Sequence, residues 1–106
     1  MEQISLSNET ICAISTPSGT GGIAVIRVSG PQACQNLQKC WKGAPVANMA
    51  SHTAHFGRIL FENGEILDEV VLTIFRAPRS FTGEDTAEIS CHGSVLVQQQ
   101  ILNRLI

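Results

Sequence analysis

The sequence predicts an α+β domain, a mostly antiparallel sheet with two helices in the order β-β-α-β-β-β-α. Three observations carry this expectation. Short β-branched runs at Thr10–Thr16 and Ile23–Val28 flank a glycine-rich loop. An Asn63-Gly64 pair stands between two long strand patterns. Two stretches, Ser29–Trp41 and Ser94–Ile106, place apolar residues at helical spacing.

Taken in order, residues 1–9 are polar and read as an irregular lead-in. Thr10-Ile-Cys-Ala-Ile-Ser-Thr16 is a buried strand by its apolar, β-branched content. Pro17-Ser-Gly-Thr-Gly-Gly22 comes next, made of residues that permit tight turns. Ile23–Val28 is the second strand. Ser29 or Gly30 can cap a helix whose first turn suits Pro31, and Ala33, Cys34, Leu37, Cys40 and Trp41 give it an apolar stripe. Lys42-Gly43-Ala44-Pro45 ends that helix, and a loop runs from 44 to 52. The arms Ala54–Phe61 and Ile66–Phe75 then form a hairpin around Asn63-Gly64, with both central turn residues expected at positive φ. The second arm is rich enough in Val, Leu and Ile to lie inside the sheet.

Ser80–Asp85 is a polar loop leading into the fifth strand. There Ala87, Ile89 and Cys91 alternate with Thr86, Glu88, Ser90 and His92, one face for the core and one polar. Ser94–Ile106 closes the pattern with Val95, Leu96, Ile101, Leu102, Leu105 and Ile106 on its apolar side. It stops on an apolar residue without a terminal glycine, which reads as a piece of a longer chain. The 106 residues form one domain, 1–106, large enough to bury roughly two-thirds of the surface of the unfolded chain.

Composition narrows the function. Net charge is −2 and the seven Lys and Arg residues are scattered, a poor electrostatic footprint for nucleic acid. No apolar run approaches the roughly 20 residues of a membrane span, and the N-terminus lacks a signal-peptide pattern, so a cytoplasmic protein is expected. Cys12, Cys34, Cys40 and Cys91 form no Cys-x-x-Cys pair and read as reduced core residues. A zinc site from Cys91, His92, His52 and His55 is disfavoured, because adjacent strand residues point to opposite faces. The same geometry counts against a Cys91–His92 catalytic dyad.

Gly19-Thr-Gly-Gly-Ile-Ala24 fits the dinucleotide pattern formally, but it leads into a β-rich run rather than a helix N-terminus, and no Gly-Lys-Ser/Thr occurs. Arg27 sits in an otherwise apolar strand, so it must reach solvent, pair with a carboxylate, or meet an anionic or carbonyl-rich ligand. Glu88 offers a planar acceptor pair to an amidine-like edge. Glu84 and Asp85 suit a turn or capping role, and Asp68 and Glu69 the end of a hairpin arm or a solvent face. No complete active site is visible in these residues.

Ala13-Ile-Ser-Thr-Pro-Ser-Gly-Thr-Gly-Gly-Ile-Ala-Val-Ile-Arg-Val-Ser-Gly30 resembles the opening of the MnmE (TrmE) family of tRNA-modification GTPases. So do Leu67-Asp-Glu69 and Ala77-Pro-Arg-Ser-Phe-Thr-Gly-Glu-Asp85, followed by Glu88 and His92-Gly93. The resemblance implies a domain that binds 5-formyltetrahydrofolate or methylenetetrahydrofolate and forms a homodimer. It also implies a fold similar to the folate-binding domain of the glycine-cleavage aminomethyltransferase. Carried over position by position, it implies that Arg27 and Glu88 contact the folate. Glu88 would read the 2-amino/N3 edge of the pterin, and Arg27 would meet a carbonyl or carboxylate.

Longer members add a helical domain with an inserted GTPase that uses GTP, Mg and K. With the flavoprotein MnmG (GidA) they place an aminomethyl-type group at C5 of the wobble uridine. The tRNA is met through the full complex rather than this domain alone, and no membrane is involved. Two positions depart from the pattern: Thr20 where a basic residue is common, and Ser94 where a second glycine is usual. The Walker A loop, the potassium loop, the terminal Cys-x-Gly-Lys and a further basic folate contact are not among these residues. Two alternatives stay beside this expectation. One is a dimerisation module without folate binding of its own, the other a stand-alone one-carbon transferase relative.

Overall fold

The computed structural model describes residues 3–7 (as backbone), 10–16, 22–80 and 82–106. Among the described residues there are seven strands and two α-helices. The strands are β1 (Gln3–Ser7), β2 (Thr10–Ile14), β3 (Ile23–Ser29), β4 (Trp41–Lys42), β5 (Thr53–Leu60), β6 (Ile66–Phe75) and β7 (Thr86–His92). The helices are α1 (Ala33–Gln38) and α2 (Val95–Leu105), and a 3-10 turn covers Val46–Asn48. Apart from β1 and the two-residue β4, the strands and α-helices follow the expected β-β-α-β-β-β-α order. The sheet runs β1-β2-β3-β7-β6-β5-β4, and every neighbouring pair is antiparallel. The last strand in sequence is therefore the central one in space.

Alternation divides the sheet into two faces. Ala24, Ile26 and Val28 of β3, Val70, Leu72 and Ile74 of β6, and Ala87, Ile89 and Cys91 of β7 point one way. They join Ala33 and Leu37 of α1 and Ile101, Leu102 and Leu105 of α2 in one buried cluster. Ile26, Leu72, Ile74 and Ile89 are fully buried, each worth about 1.5–3 kcal/mol of burial free energy. The opposite face carries Ile23, Val25 and Arg27, then Glu88, Ser90 and His92, then Val71, Thr73 and Phe75. No described helix covers it. No described helix is long and apolar enough to cross a membrane.

Several expectations are corrected. Residues 3–7 are the edge strand β1 rather than an irregular lead-in. Ser29 is the last residue of β3, so it cannot cap α1; the helix starts later, at Ala33, with Gln32 in the N-cap position. The buried Thr10 supplies the missing acceptor, its Oγ1 receiving the Gln32 N–H at 3.0 Å. Trp41 belongs to β4 rather than to the stripe of α1. Its indole lies over Gly57, where an added Cβ would overlap the ring, and its Nε1 donates to Ala44 O at 2.8 Å.

The hairpin is present as Thr53–Leu60 and Ile66–Phe75, but only Gly64 of the expected turn pair has positive φ (88°). Gly64 N donates to Phe61 O and Phe61 N to Glu65 O, which makes a three-residue loop closed by a left-handed glycine. On α2, Val95, Leu96 and Ile106 are exposed. The buried place in its first turns is taken by Gln98, whose Nε2 donates to Gly93 O at 3.0 Å. Ser94 caps this helix, its Oγ accepting from Val97 N.

Candidate functional site

The β3–β7 register sets Arg27 directly opposite Glu88 on the uncovered face. Arg27 Nε and Nη2 both donate to Glu88 Oε2, at 3.0 and 2.6 Å. The two side chains retain 26% and 22% of their exposure, so the pair is neither dry nor freely solvated. Of the three fates open to Arg27 from its sequence context, the carboxylate partner is the one observed. Both bonds end on one oxygen, and no described residue donates to Oε1. Glu88 is thus held by its partner while half of its acceptor edge stays available. Thr73 of β6 lies across from Glu88 on the other side, and Val25 and Ser90 form the adjacent cross-strand pair.

Next to the pair lies a shallow depression of about 180 Å³, bordered by Ile23, Phe56, Val71, Ser90 and His92. Ile23 and Phe56 are 70% and 63% exposed, an apolar margin to a polar centre. His92 is anchored at its rim. Its backbone N–H donates to Asp68 Oδ2 at 2.9 Å, and its Nδ1 lies 2.6 Å from Asp68 Oδ1. Both residues lie inside β6 rather than at its end; Glu69 faces solvent, as the alternative expectation had it, and pairs with Arg58 at 3.1 Å, whereas Asp68 is nearly buried. Sequence reasoning missed this Asp68–His92 link, because the partners are 24 residues apart. Leu67-Asp-Glu69 and His92-Gly93 were visible only as separate motifs.

The loop before β7 is tied down at both ends. Asp85 Oδ1 accepts from Ala77 N at 2.8 Å, Gly30 N donates to Asp85 O at 3.0 Å, and Gly83 takes φ of 78°. Asp85 therefore has the turn-forming role expected of it. Ser29, Thr82 and Thr86 bring three hydroxyls together beneath the loop, with Ser29 Oγ 2.8 Å from Thr82 Oγ1 and 3.1 Å from Thr86 Oγ1. Phe81 lies outside the described residues, as do residues 17–21 of the glycine loop, Thr20 among them. That loop leads into the strand β3, so the dinucleotide pattern opens no helix.

Arg76 is a second organiser that its sequence position did not reveal. Its guanidinium donates to Met49 O at 3.2 and 2.9 Å and to Val46 O at 2.7 Å, and reaches Asp85 Oδ2 at 3.7 Å. One side chain so joins the 44–52 loop to the 77–85 loop.

All four cysteines are free. Cys12, Cys40 and Cys91 are buried, and Cys34 is half-buried. Burial pushes the Cys12 and Cys91 thiols up to about 11, and those of Cys34 and Cys40 also upward, so all four are protonated at neutral pH. Cys91 faces the core and His92 the open side, the separation that alternation requires. Among the described residues no group of three His, Cys, Asp or Glu converges as a metal site would need.

The model of the family described as GTP-binding protein TrmE N-terminus matches residues 10–106. The chain belongs to the TrmE N-terminal family. It is 51% identical over 98 residues to the tRNA modification GTPase MnmE of Acholeplasma laidlawii, covering 92% of this chain and 22% of that protein. It is 52% identical over 101 residues to the MnmE proteins of Parabacteroides distasonis and Chlamydia felis, covering 92% and 95% of this chain and again 22% of each relative. The chain thus spans about a fifth of the length of these relatives. The family match contains both members of the central pair and every element of the sheet except β1.

Proposed function

We propose that this chain is the N-terminal tetrahydrofolate-binding and homodimerising module of a tRNA-modification GTPase. In this reading the whole protein works with the flavoprotein MnmG to add an aminomethyl-type group at C5 of the wobble uridine in tRNA. The observation that carries the reading is the Arg27–Glu88 pair, about a quarter exposed on a sheet face that no described helix covers, within a chain of the TrmE N-terminal family.

The donor set fits the head of a folate. A tetrahydropterin presents adjacent N–H donors at its 2-amino/N3 edge, and Glu88 offers a carboxylate for them. Arg27 holds Glu88 through Oε2, leaving Oε1 open to the ligand. Should the ligand draw both oxygens, Arg27 is placed to turn to its carbonyl. 5-Formyltetrahydrofolate or methylenetetrahydrofolate would supply the one-carbon unit. The exposed Ile23, Phe56 and Val71 on the same face support self-association, since large apolar side chains clustered in the open mark interaction surfaces. GTP, with Mg and K, and tRNA would be handled outside these 106 residues, where no Gly-Lys-Ser/Thr occurs. A cytoplasmic setting accords with four unpaired thiols.

Titration calorimetry with 5-formyltetrahydrofolate tests the reading, with Glu88→Ala and the closer mimic Glu88→Gln as variants. Saturable binding that either substitution weakens at least tenfold is expected, since a carboxylate that receives two charge-assisted or paired bonds contributes about 1.5–3 kcal/mol. Unchanged affinity in both variants would refute the assignment of Glu88. A dimer in solution that binds no folate would instead leave a dimerisation module.

A further inference from the structure

Glu88, Ser90 and His92 follow one another along the open face of β7. Towards His92 the ladder between β7 and β6 stops at the Val71–Ser90 pair. The next step would set Glu69 opposite His92. Instead the His92 N–H goes to Asp68 Oδ2 at 2.9 Å, and Asp68 Oδ1 lies 2.6 Å from His92 Nδ1. One carboxylate takes the main chain and the ring of a single residue together, which fixes the plane of the imidazole.

The same contact fixes the proton. An ionised carboxylate only accepts, so Nδ1 carries the hydrogen and the neutral ring keeps its lone pair on Nε2. Asp68 is 10% exposed and His92 72%, so the acceptor is withdrawn while the far edge of the ring meets solvent. No described residue bonds to Nε2. The other two histidines differ: His52 and His55 lie against the hydroxyls of Ser51 and Thr53, which cannot balance the charge of an imidazolium. The charged groups facing the His92 ring are Asp68 and Glu69 of β6. Arg58 of β5 engages Glu69, and β3 sets the uncharged Ile23 opposite His92. A carboxylate behind a histidine whose outer nitrogen is free orients the ring and offsets the charge gained with a proton, which is what a general base requires.

We propose that Asp68 and His92 form a proton-transfer dyad acting on a small neutral ring compound, seated in the depression of about 180 Å³ at whose rim His92 stands. Ile23, Phe56 and Val71 give that depression apolar walls suited to a ring, and Ser90 offers a hydroxyl to a polar atom on it. The bond to the ligand's acidic hydrogen breaks, the electron pair stays on the ligand, and the hydrogen bonds to Nε2. Asp68, the positioning residue, stabilises the imidazolium, whose exposed edge then returns the proton to water. Neither Arg27 nor Glu88 takes part, so the inference does not rest on the folate reading.

The test has two arms, both on the full chain. Long-range proton–nitrogen NMR correlations read the tautomer of His92. In the unaltered chain the neutral ring should carry its proton on Nδ1 and leave Nε2 bare. In Asp68→Asn the amide oxygen can still take the main-chain N–H, but the amide nitrogen donates to Nδ1 and so moves the ring proton to Nε2. The second arm follows 5-nitro-1,2-benzisoxazole, a flat neutral probe. A base removes its C3 hydrogen, the freed pair completes a nitrile, and the N–O bond opens to a coloured phenolate. The unaltered chain should open the probe at least about tenfold faster than free imidazole at the same concentration, at a rate that rises with pH as the imidazolium gives up its proton and then levels off. His92→Gln, whose main-chain N–H still reaches Asp68, should abolish the gain, and Asp68→Asn should cut it by about tenfold or more. A bare Nδ1 in the unaltered chain, a rate no better than that of free imidazole, or an equal rate in His92→Gln would each overturn the dyad. None of these results would touch the assignment of Glu88, which calorimetry tests separately.

Discussion

The strength of the Arg27–Glu88 pair can be worked out from its setting and measured by a double-mutant cycle. Fully exposed pairs contribute about 0.2–1 kcal/mol, while breaking a fully buried one costs about 3–5 kcal/mol. With 26% and 22% of the side chains exposed, this pair lies between those limits. Two donors converge on one oxygen, so it lacks the second parallel bond of a forked arginine–carboxylate contact. We expect Arg27→Met and Glu88→Ala each to cost about 1.5–2.5 kcal/mol, with a coupling of about 1–1.5 kcal/mol in the double variant.

Urea unfolding followed by the fluorescence of Trp41, the sole tryptophan and a buried one, gives the readout. For a domain of this size each single variant should lower the midpoint by about 1 M or somewhat more. A coupling below about 0.3 kcal/mol would show that the two side chains do not hold one another in solution, and the account of a pre-positioned Glu88 would fail.

Two further predictions probe the packing behind the site. Gly57→Ala drives a methyl group into the Trp41 indole and to 2.8 Å from the carbonyl of Lys42. Backbone cannot yield as a side-chain tip can, so a loss of about 1–3 kcal/mol and a lower melting temperature are expected; an unchanged melting temperature would refute this packing. The buried thiols make stability fall at high pH. Between 9.0 and about 11 the unfolded chain loses the protons of Cys12 and Cys91 while the folded chain keeps them. Each thiol should therefore remove up to about 2–3 kcal/mol as pH rises through that window, and the Cys12→Ala, Cys91→Ala double variant should show a flatter profile of urea midpoint against pH.

Local pattern carried most of the fold and little of the site's wiring. Ile26, Ile89 and Leu72 were legible because strand alternation is a local signal, and the hairpin because Gly64 must turn left-handed whichever turn type it closes. Gln3-Ile-Ser-Leu-Ser7 does alternate, but five residues beside a chain end give a weak signal for a strand. The stripe assigned to the first helix included Trp41 because helical spacing and a strand beginning look alike over one turn. Gly57 on another strand and Ala44 O, which accepts from Nε1, show where the indole belongs.

Val95 and Leu96 misled for the opposite reason: they are apolar yet exposed, and the polar Gln98 lies inside because Gly93 O receives its amide. In the site, Arg27 and Glu88 were each conspicuous alone. That they touch depends on a register between strands 61 residues apart, which no local pattern encodes. Arg76 was overlooked for the same reason, since its partners lie on two loops.

The placement of β7 bears on the order in which the molecule can assemble. β1, β2 and β3 pair as one meander, and β4, β5 and β6 as another, each able to form from neighbours in sequence. Only β7 joins them, entering last between β3 and β6. The two half-sheets can therefore close into one sheet only once β7 is available. Non-local closure of this kind slows folding and leaves strand edges exposed in the interval. The Arg27–Glu88 contact requires β7 to pair with β3, so the pair and the completed sheet arise together.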